Sequence, residues 1–182
     1  MLSSPLRMKD WYPMKNLNDI FSVTYGNQFD LNKMSLVTKG AEGAIAFVSR
    51  KSTNLGIVGF VEKWQSIEPY RPGTITVALG GAILSSHIQP TPYYTGQNIM
   101  VLVPRRKMSF SEKLWWCMCI EENAYRYSAF GREAKRTLPS LLVPDEPPAW
   151  VGKVAVPVRQ IESLIHSLPG ARRKGAGRRE SK

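Results

Sequence analysis

Between Ile20 and Val103, glycine and proline cut the chain into short runs of β-forming residues. Ile20–Tyr25 stops at Gly26, and Ala44–Ser49 gives way to the polar run Arg50–Asn54. Gly56–Val61 follows. Thr74–Leu79 lies between Pro72-Gly73 and Gly80-Gly81, and Asn98–Val103 ends at Pro104. Short β-branched and aromatic runs at close spacing predict strands joined by tight turns. Residues 82–85 read as a continuation of the fourth strand past a bulge. No helical pattern separates these runs, so a doubly wound parallel fold is disfavoured. The expectation is an α/β (α+β) domain with a curled, largely antiparallel β-sheet.

One helix is expected against that sheet. Ser109-Phe-Ser-Glu112 has capping-box spacing: the serine hydroxyl accepts from the third helical amide and the glutamate reaches back. The run Leu114–Ile120 is apolar throughout, which predicts a helix packed on several sides. Glu122 and Arg126 lie four apart and extend it into a long helix, with Gly131 as its stop. Val158, Ile161, Ile165 and Leu168 share a/d heptad spacing. They predict a short amphipathic helix packed on its own domain, too short to hold a coiled coil alone. The organisation expected is therefore a lead-in over 1–19, a domain over 20–150, a linker and short helix over 151–169, and a basic tail over 170–182.

The 182 residues carry 25 Lys and Arg against 14 Asp and Glu, a formal charge of +11. Residues 171–182 hold six of the bases and one acid, so +5 sits in the tail and the rest of the chain is still basic. Such a tail is a solvated end and a non-specific phosphate arm at once. No apolar run approaches the ~20 residues of a membrane span, and residues 1–13 lack the pattern of a secretory signal. Two cysteines, Cys117 and Cys119, sit too close on a helix to bridge, which suggests a reducing, cytoplasmic setting.

Catalytic signatures are missing. The only histidines are His87 and His166. There is no phosphate-loop motif, no Gly-rich nucleotide turn, no methyltransferase motif of the Asn/Asp-Pro-Pro-aromatic type and no metal-ligand spacing. The best candidates for an enzyme site are His87, the pair Tyr93-Tyr94 and Glu121-Glu122, which make no recognised constellation. The chain reads as a non-enzymatic binding protein.

Three loops combine charge with residue types that read bases. The first, Ser49–Asn54, offers Arg50, Lys51, Ser52, Thr53 and Asn54; Arg and Lys suit guanine and Asn suits adenine. The second, Ser85–Gln97, offers His87, Gln89, Tyr93 and Tyr94. The third, Tyr125–Thr137, carries Arg126, Arg132, Lys135 and Arg136 against a single acid and suits phosphates. Each also reads as an ordinary solvated loop. Together, in a basic chain without catalytic residues, they favour DNA binding.

From about Phe21 to Trp150 the chain resembles the target recognition domain of the DNA-specificity (S) subunit of type I restriction–modification systems. The resembling stretches are FSVTYGNQFDLNKM, AIAFVSRKSTNLGIVGFVE, PGTITVALGGAILSS, YYTGQNIMVLVP and KLWWCMCIEENAYRYSAFGREAKRTLPSLLVP, in that order. SRKSTNLG and SAFGREAKRTL are the most specific of them. The resemblance implies a non-catalytic prokaryotic defence protein that reads part of a bipartite duplex-DNA site. It implies an adenine methyltransferase subunit as partner and also a restriction/translocase subunit. S-adenosylmethionine, ATP and Mg would belong to those subunits, and no cofactor to this chain. It singles out the segments around Arg50–Asn54 and Arg132–Arg136 for DNA contact. A full specificity subunit has two recognition domains and two long spacer helices, whereas here one domain ends in the stub Val158–Leu168. A homodimer or a second recognition domain from another chain stays open. So does the alternative of a stand-alone interaction protein that docks on or regulates a methyltransferase, with only non-specific DNA binding through its tail.

Overall fold

A computed structural model of the chain describes residues 13–64, 66–127 and 136–154. Along them run β1 (Met14–Asn16), α1 (Leu17–Ile20), β2 (Phe21–Tyr25), β3 (Leu36–Val37), β4 (Ile45–Val48), β5 (Ile57–Val61), β6 (Ile75–Ala78), β7 (Ser86–Ile88), β8 (Tyr93–Thr95), β9 (Ile99–Pro104), α2 (Phe110–Glu121) and β10 (Leu142–Pro144). The strands form two four-stranded sheets and a two-stranded ribbon, ordered β2-β9-β6-β7, β3-β5-β4-β8 and β1-β10. All pairs are antiparallel except β4 with β8, where Ala46 faces Tyr93 and Val48 faces Thr95.

The antiparallel expectation holds, and it is two packed sheets rather than one curled sheet. The reason lies in the central strands. Ile99, Met100, Val101 and Leu102 of β9 are all buried, as are Ile45 to Val48 of β4. A strand buried on both faces needs cover on both. In the first sheet, one face packs Phe21, Ile75, Val77, Met100 and Leu102 against Leu17, Trp116 and Ile120. Its other face meets the second sheet through Val101, against Ala46, Val48, Ile57 and Tyr93. The outer face of the second sheet packs Ile45, Phe47, Val61 and Tyr94 with Met34.

Residues 82–85 do not extend β6. They form the β6–β7 turn, closed by Leu84 N–H donating to Ala78 O at 2.8 Å and Ala78 N–H donating to Ser85 O at 3.0 Å. Part of the expected lead-in is integral to the fold: β1 pairs with β10, and Leu17 is fully buried.

The helix starts where the capping box places it. Ser109 Oγ accepts from Glu112 N–H at 3.2 Å, and Glu112 Oε2 accepts from Ser109 N–H at 2.8 Å. It is not long, however. It runs twelve residues and gives way to a 3-10 turn over Ala124–Tyr127. The Asn123 side chain donates to Cys119 O at 2.8 Å, capping an end carbonyl that a further helical amide would have used. Arg126 therefore lies beyond the helix, where its Nε donates to Tyr125 Oη at 3.1 Å. Nor is the helix covered all round. Trp116, Cys117 and Ile120 are buried, whereas Leu114 and Met118 are 42% and 57% exposed. The amphipathic helix expected over 158–168, the stop at Gly131 and the basic tail lie outside the described residues.

Candidate nucleic-acid interface

The polar loop between β4 and β5 is held by its backbone and presents its side chains outward. Arg50 O accepts from Ala82 N–H at 3.3 Å, and Lys51 O lies 3.3 Å from His87 Nε2. Leu55 O accepts from Gln89 Nε2 at 2.9 Å. The loop thus rests on the β6–β7 turn and the strand beyond it. Close approach requires Gly81, at φ +68°, where a Cβ would meet Arg50 O at 3.0 Å. The loop closes with Asn54, Leu55 and Gly56 all at positive φ. Asparagine tolerates the left-handed region, whereas Leu55 there costs about 1–2 kcal/mol. That strain persists because the loop is fixed on both sides, and such strain gathers at functional segments. The Asn54 side chain is used within the turn, donating to Ile57 O at 2.8 Å. Arg50, Lys51, Ser52 and Thr53 are exposed.

This loop borders a groove of about 570 Å³ that runs to the outer face of α2. Ser52 lines it from the first loop and Ser85 to His87 from the second, and Ala124, the residue before the third, lines it as well. The first two segments singled out in the sequence therefore converge, and the third starts next to a residue of the same groove. Leu114, Met118 and Glu121 form the helical wall. His87 is half-buried and points at the first loop, its Nε2 lying 3.3 Å from Lys51 O and 3.1 Å from Ser85 Oγ. Burial pushes the His87 pKa below its ordinary value, against the raising effects of the Lys51 carbonyl and the Glu121 charge.

Other expected readers lie inside. Gln89 has no exposed surface; its Nε2 donates to Leu55 O and, at 2.8 Å, to Thr76 Oγ1. Tyr93 and Tyr94 are also fully buried. The Tyr93 hydroxyl shares a 2.7 Å hydrogen bond with Thr74 Oγ1, and the Tyr94 hydroxyl donates to Ile67 O at 2.6 Å. Their rings fill the two cores of the second sheet. A side chain without accessible surface offers nothing to a base, so these three are structural. Burial also drives the Tyr93 and Cys117 pKa values up and lifts Cys119 to about 11, so none of these groups ionises near neutrality. Arg126 and Arg136 are exposed, on segments tied together by Thr137 Oγ1 donating to Tyr127 Oη at 3.1 Å. Arg132 and Lys135 lie outside the described residues.

A second basic cluster, Arg105-Arg106-Lys107, was legible as three consecutive bases after Pro104. It is less available to phosphate. Arg105 Nε donates to Asn18 O at 2.8 Å, Arg106 pairs with Glu112 at 2.8 Å, and Asp19, Asp145 and Glu146 line the same hollow. Among the described residues no cluster of His, Cys, Asp or Glu suits a metal, and no helix is long and apolar enough to cross a membrane.

No family model matches the sequence, and no curated protein matches it. Solved structures do. The chain is similar to the type I restriction–modification S subunit of M. genitalium, at 13% identity and TM-score 0.59, over 88% of this chain and 41% of that one. It is similar to the HsdS subunit of Thermoanaerobacter tengcongensis, at 14% identity and TM-score 0.59, over 91% and 40%. A third similar chain comes from work on assembly and conformational transition of the type I R-M system, at 16% identity and TM-score 0.56, over 90% and 40%. The chain spans about two-fifths of the length of these proteins. Over that length it has the target recognition domain fold of a type I restriction–modification S subunit.

Proposed function

We propose that the chain recognises duplex DNA in a sequence-specific way, as the specificity component of a restriction–modification complex, and is itself non-catalytic. The observation that carries this reading is the convergence of the first two polar loops at one groove, with the first pinned by its backbone so that Arg50 to Thr53 face solvent. A preorganised loop loses little entropy on binding, which base readout needs. Arg50 and Lys51 supply donors for guanine edges or phosphates, and Arg126 and Arg136 supply phosphate contacts. The fold likeness supports the same role. The partners in this reading are an adenine methyltransferase subunit and a restriction/translocase subunit, which hold S-adenosylmethionine, ATP and Mg. The recognition domain is assigned to residues 20–150 together with the β1–α1 segment. The protein acts in the cytoplasm.

Selection from a random duplex-DNA pool at roughly physiological salt tests this, because non-specific phosphate binding is weak there. The reading expects one enriched motif, lost when Arg50 and Lys51 are both changed to Ala. Enrichment of no motif by the wild-type chain contradicts it.

A further inference from the structure

Glu121 is the one carboxylate among the residues lining the groove. It ends α2, and its Oε1 accepts from Ser86 N–H at 2.8 Å, so its rotamer is fixed across the groove. It makes no ion pair with a described residue. As a stitch between α2 and β7 its charge is superfluous, because a glutamine would accept the same hydrogen bond. The charge is also doubly unfavourable. It sits at the negative end of a helix, and it faces a surface that, on the reading above, meets a polyanion.

A carboxylate in that position is compensated only by donors. In the major groove, guanine and thymine present acceptors at the corresponding edge, while cytosine presents its N4 amino group and adenine presents N6 beside the N7 acceptor. Cytosine alone combines a donor with an apolar C5–H edge. The groove supplies the matching apolar neighbours. Met118, one turn before Glu121, is more than half exposed, and Leu114 lies a turn further back on the same face.

We propose that Glu121 is a specificity-determining residue, accepting a hydrogen bond from the N4 amino group of a cytosine whose C5 edge lies on Met118. The proposal rests on the DNA-recognition reading and assigns it one base pair.

The test compares the full-length wild type with Glu121→Gln and Glu121→Asp, by selection from a random duplex pool and by thermal unfolding. Glutamine keeps the Ser86 hydrogen bond, so the E121Q chain unfolds with the wild type. It loses preference for C at one position by about tenfold, the usual cost of one mismatched pair, while the other positions keep theirs. Its affinity for an unrelated duplex rises, because a repelling charge is gone. E121D keeps the charge and retains the ranking with C first, more weakly. The proposal is overturned if the E121Q motif matches the wild type, if the affected pair is A·T, or if all positions weaken together with a lower melting temperature, as a purely structural stitch would give. A wild-type chain that enriches no motif overturns the DNA reading itself, and this assignment with it.

Discussion

Replacing Gln89 with Leu removes the side chain that joins the polar loop to the first sheet. Gln89 Nε2 donates to Leu55 O at 2.9 Å and to Thr76 Oγ1 at 2.8 Å, in a site with no solvent. Each neutral hydrogen bond contributes about 1 kcal/mol net, and a buried acceptor left without a donor costs about 1–3 kcal/mol. Thr76 keeps a weak bond to His87 O at 3.4 Å, so the orphan is mainly Leu55 O. An opposing effect reduces the loss. Gln89 Oε1 has no partner among the described residues, and leucine removes that buried acceptor. The balance is a destabilisation of about 1–3 kcal/mol, or roughly 3–10 °C in Tm for a domain of this size. Leu55 has positive φ, so losing the tie on its carbonyl also releases the left-handed turn. In a DNA-selection assay the Q89L chain accordingly loses information at several positions together, with non-specific affinity unchanged. If Q89L left Tm unchanged and altered a single base position, Gln89 would be a reader, and the structural role assigned to it would be wrong.

Changing Arg50 and Lys51 to Ala removes two exposed cations, so stability stays within about 0.5 kcal/mol, while the slope of log affinity against log salt falls by roughly 1.8 if both touch phosphate; titrations at several salt concentrations check it. His87 has a depressed pKa in the folded chain, so its contribution is full above the ordinary histidine value and is lost as pH falls through the folded one. Denaturant melts should therefore show a stability loss as pH falls below the ordinary histidine range that is smaller in H87Q, which keeps a donor near Lys51 O but does not titrate. Ser109→Ala removes the helix cap at about 1 kcal/mol. For Glu112, partial burial raises the pKa but is outweighed by the Ser109 hydrogen bonds and Arg106, so the net shift is downward. Its contribution is present above the ordinary carboxylate range and fades as pH falls through the depressed value, and melts at acid pH should show less of that fade in S109A.

Local signals were legible. The Ser109–Glu112 box fixed the helix start, and the β-former runs located β2, β4, β5, β6 and β9. What escaped is structure made by distant partners. β1, β3, β7, β8 and β10 have two or three residues each, too few for propensity to register, and exist because a longer strand or each other lies alongside. Tyr93-Tyr94 reads as an exposed aromatic pair until β8 is placed parallel to β4, which buries both rings. Gln89 reads as a base reader until the β4–β5 loop folds over it. In the site, the first loop was visible because Arg50 to Thr53 form a contiguous polar run between two β-forming runs. The groove was not, because it joins Ser52, His87 and Glu121 across 70 residues of sequence.

The central claim is that the folded loops, and not charge alone, read DNA. The direct measurement is the ratio of affinities for a selected duplex and its scrambled counterpart, at roughly physiological salt, for the wild type and for the Arg50/Lys51 double-alanine chain. The account predicts a ratio of about 10³ or more for the wild type, in the range of specific recognition, and its collapse in the variant. A wild-type ratio near one, with both chains binding both duplexes alike, would contradict it.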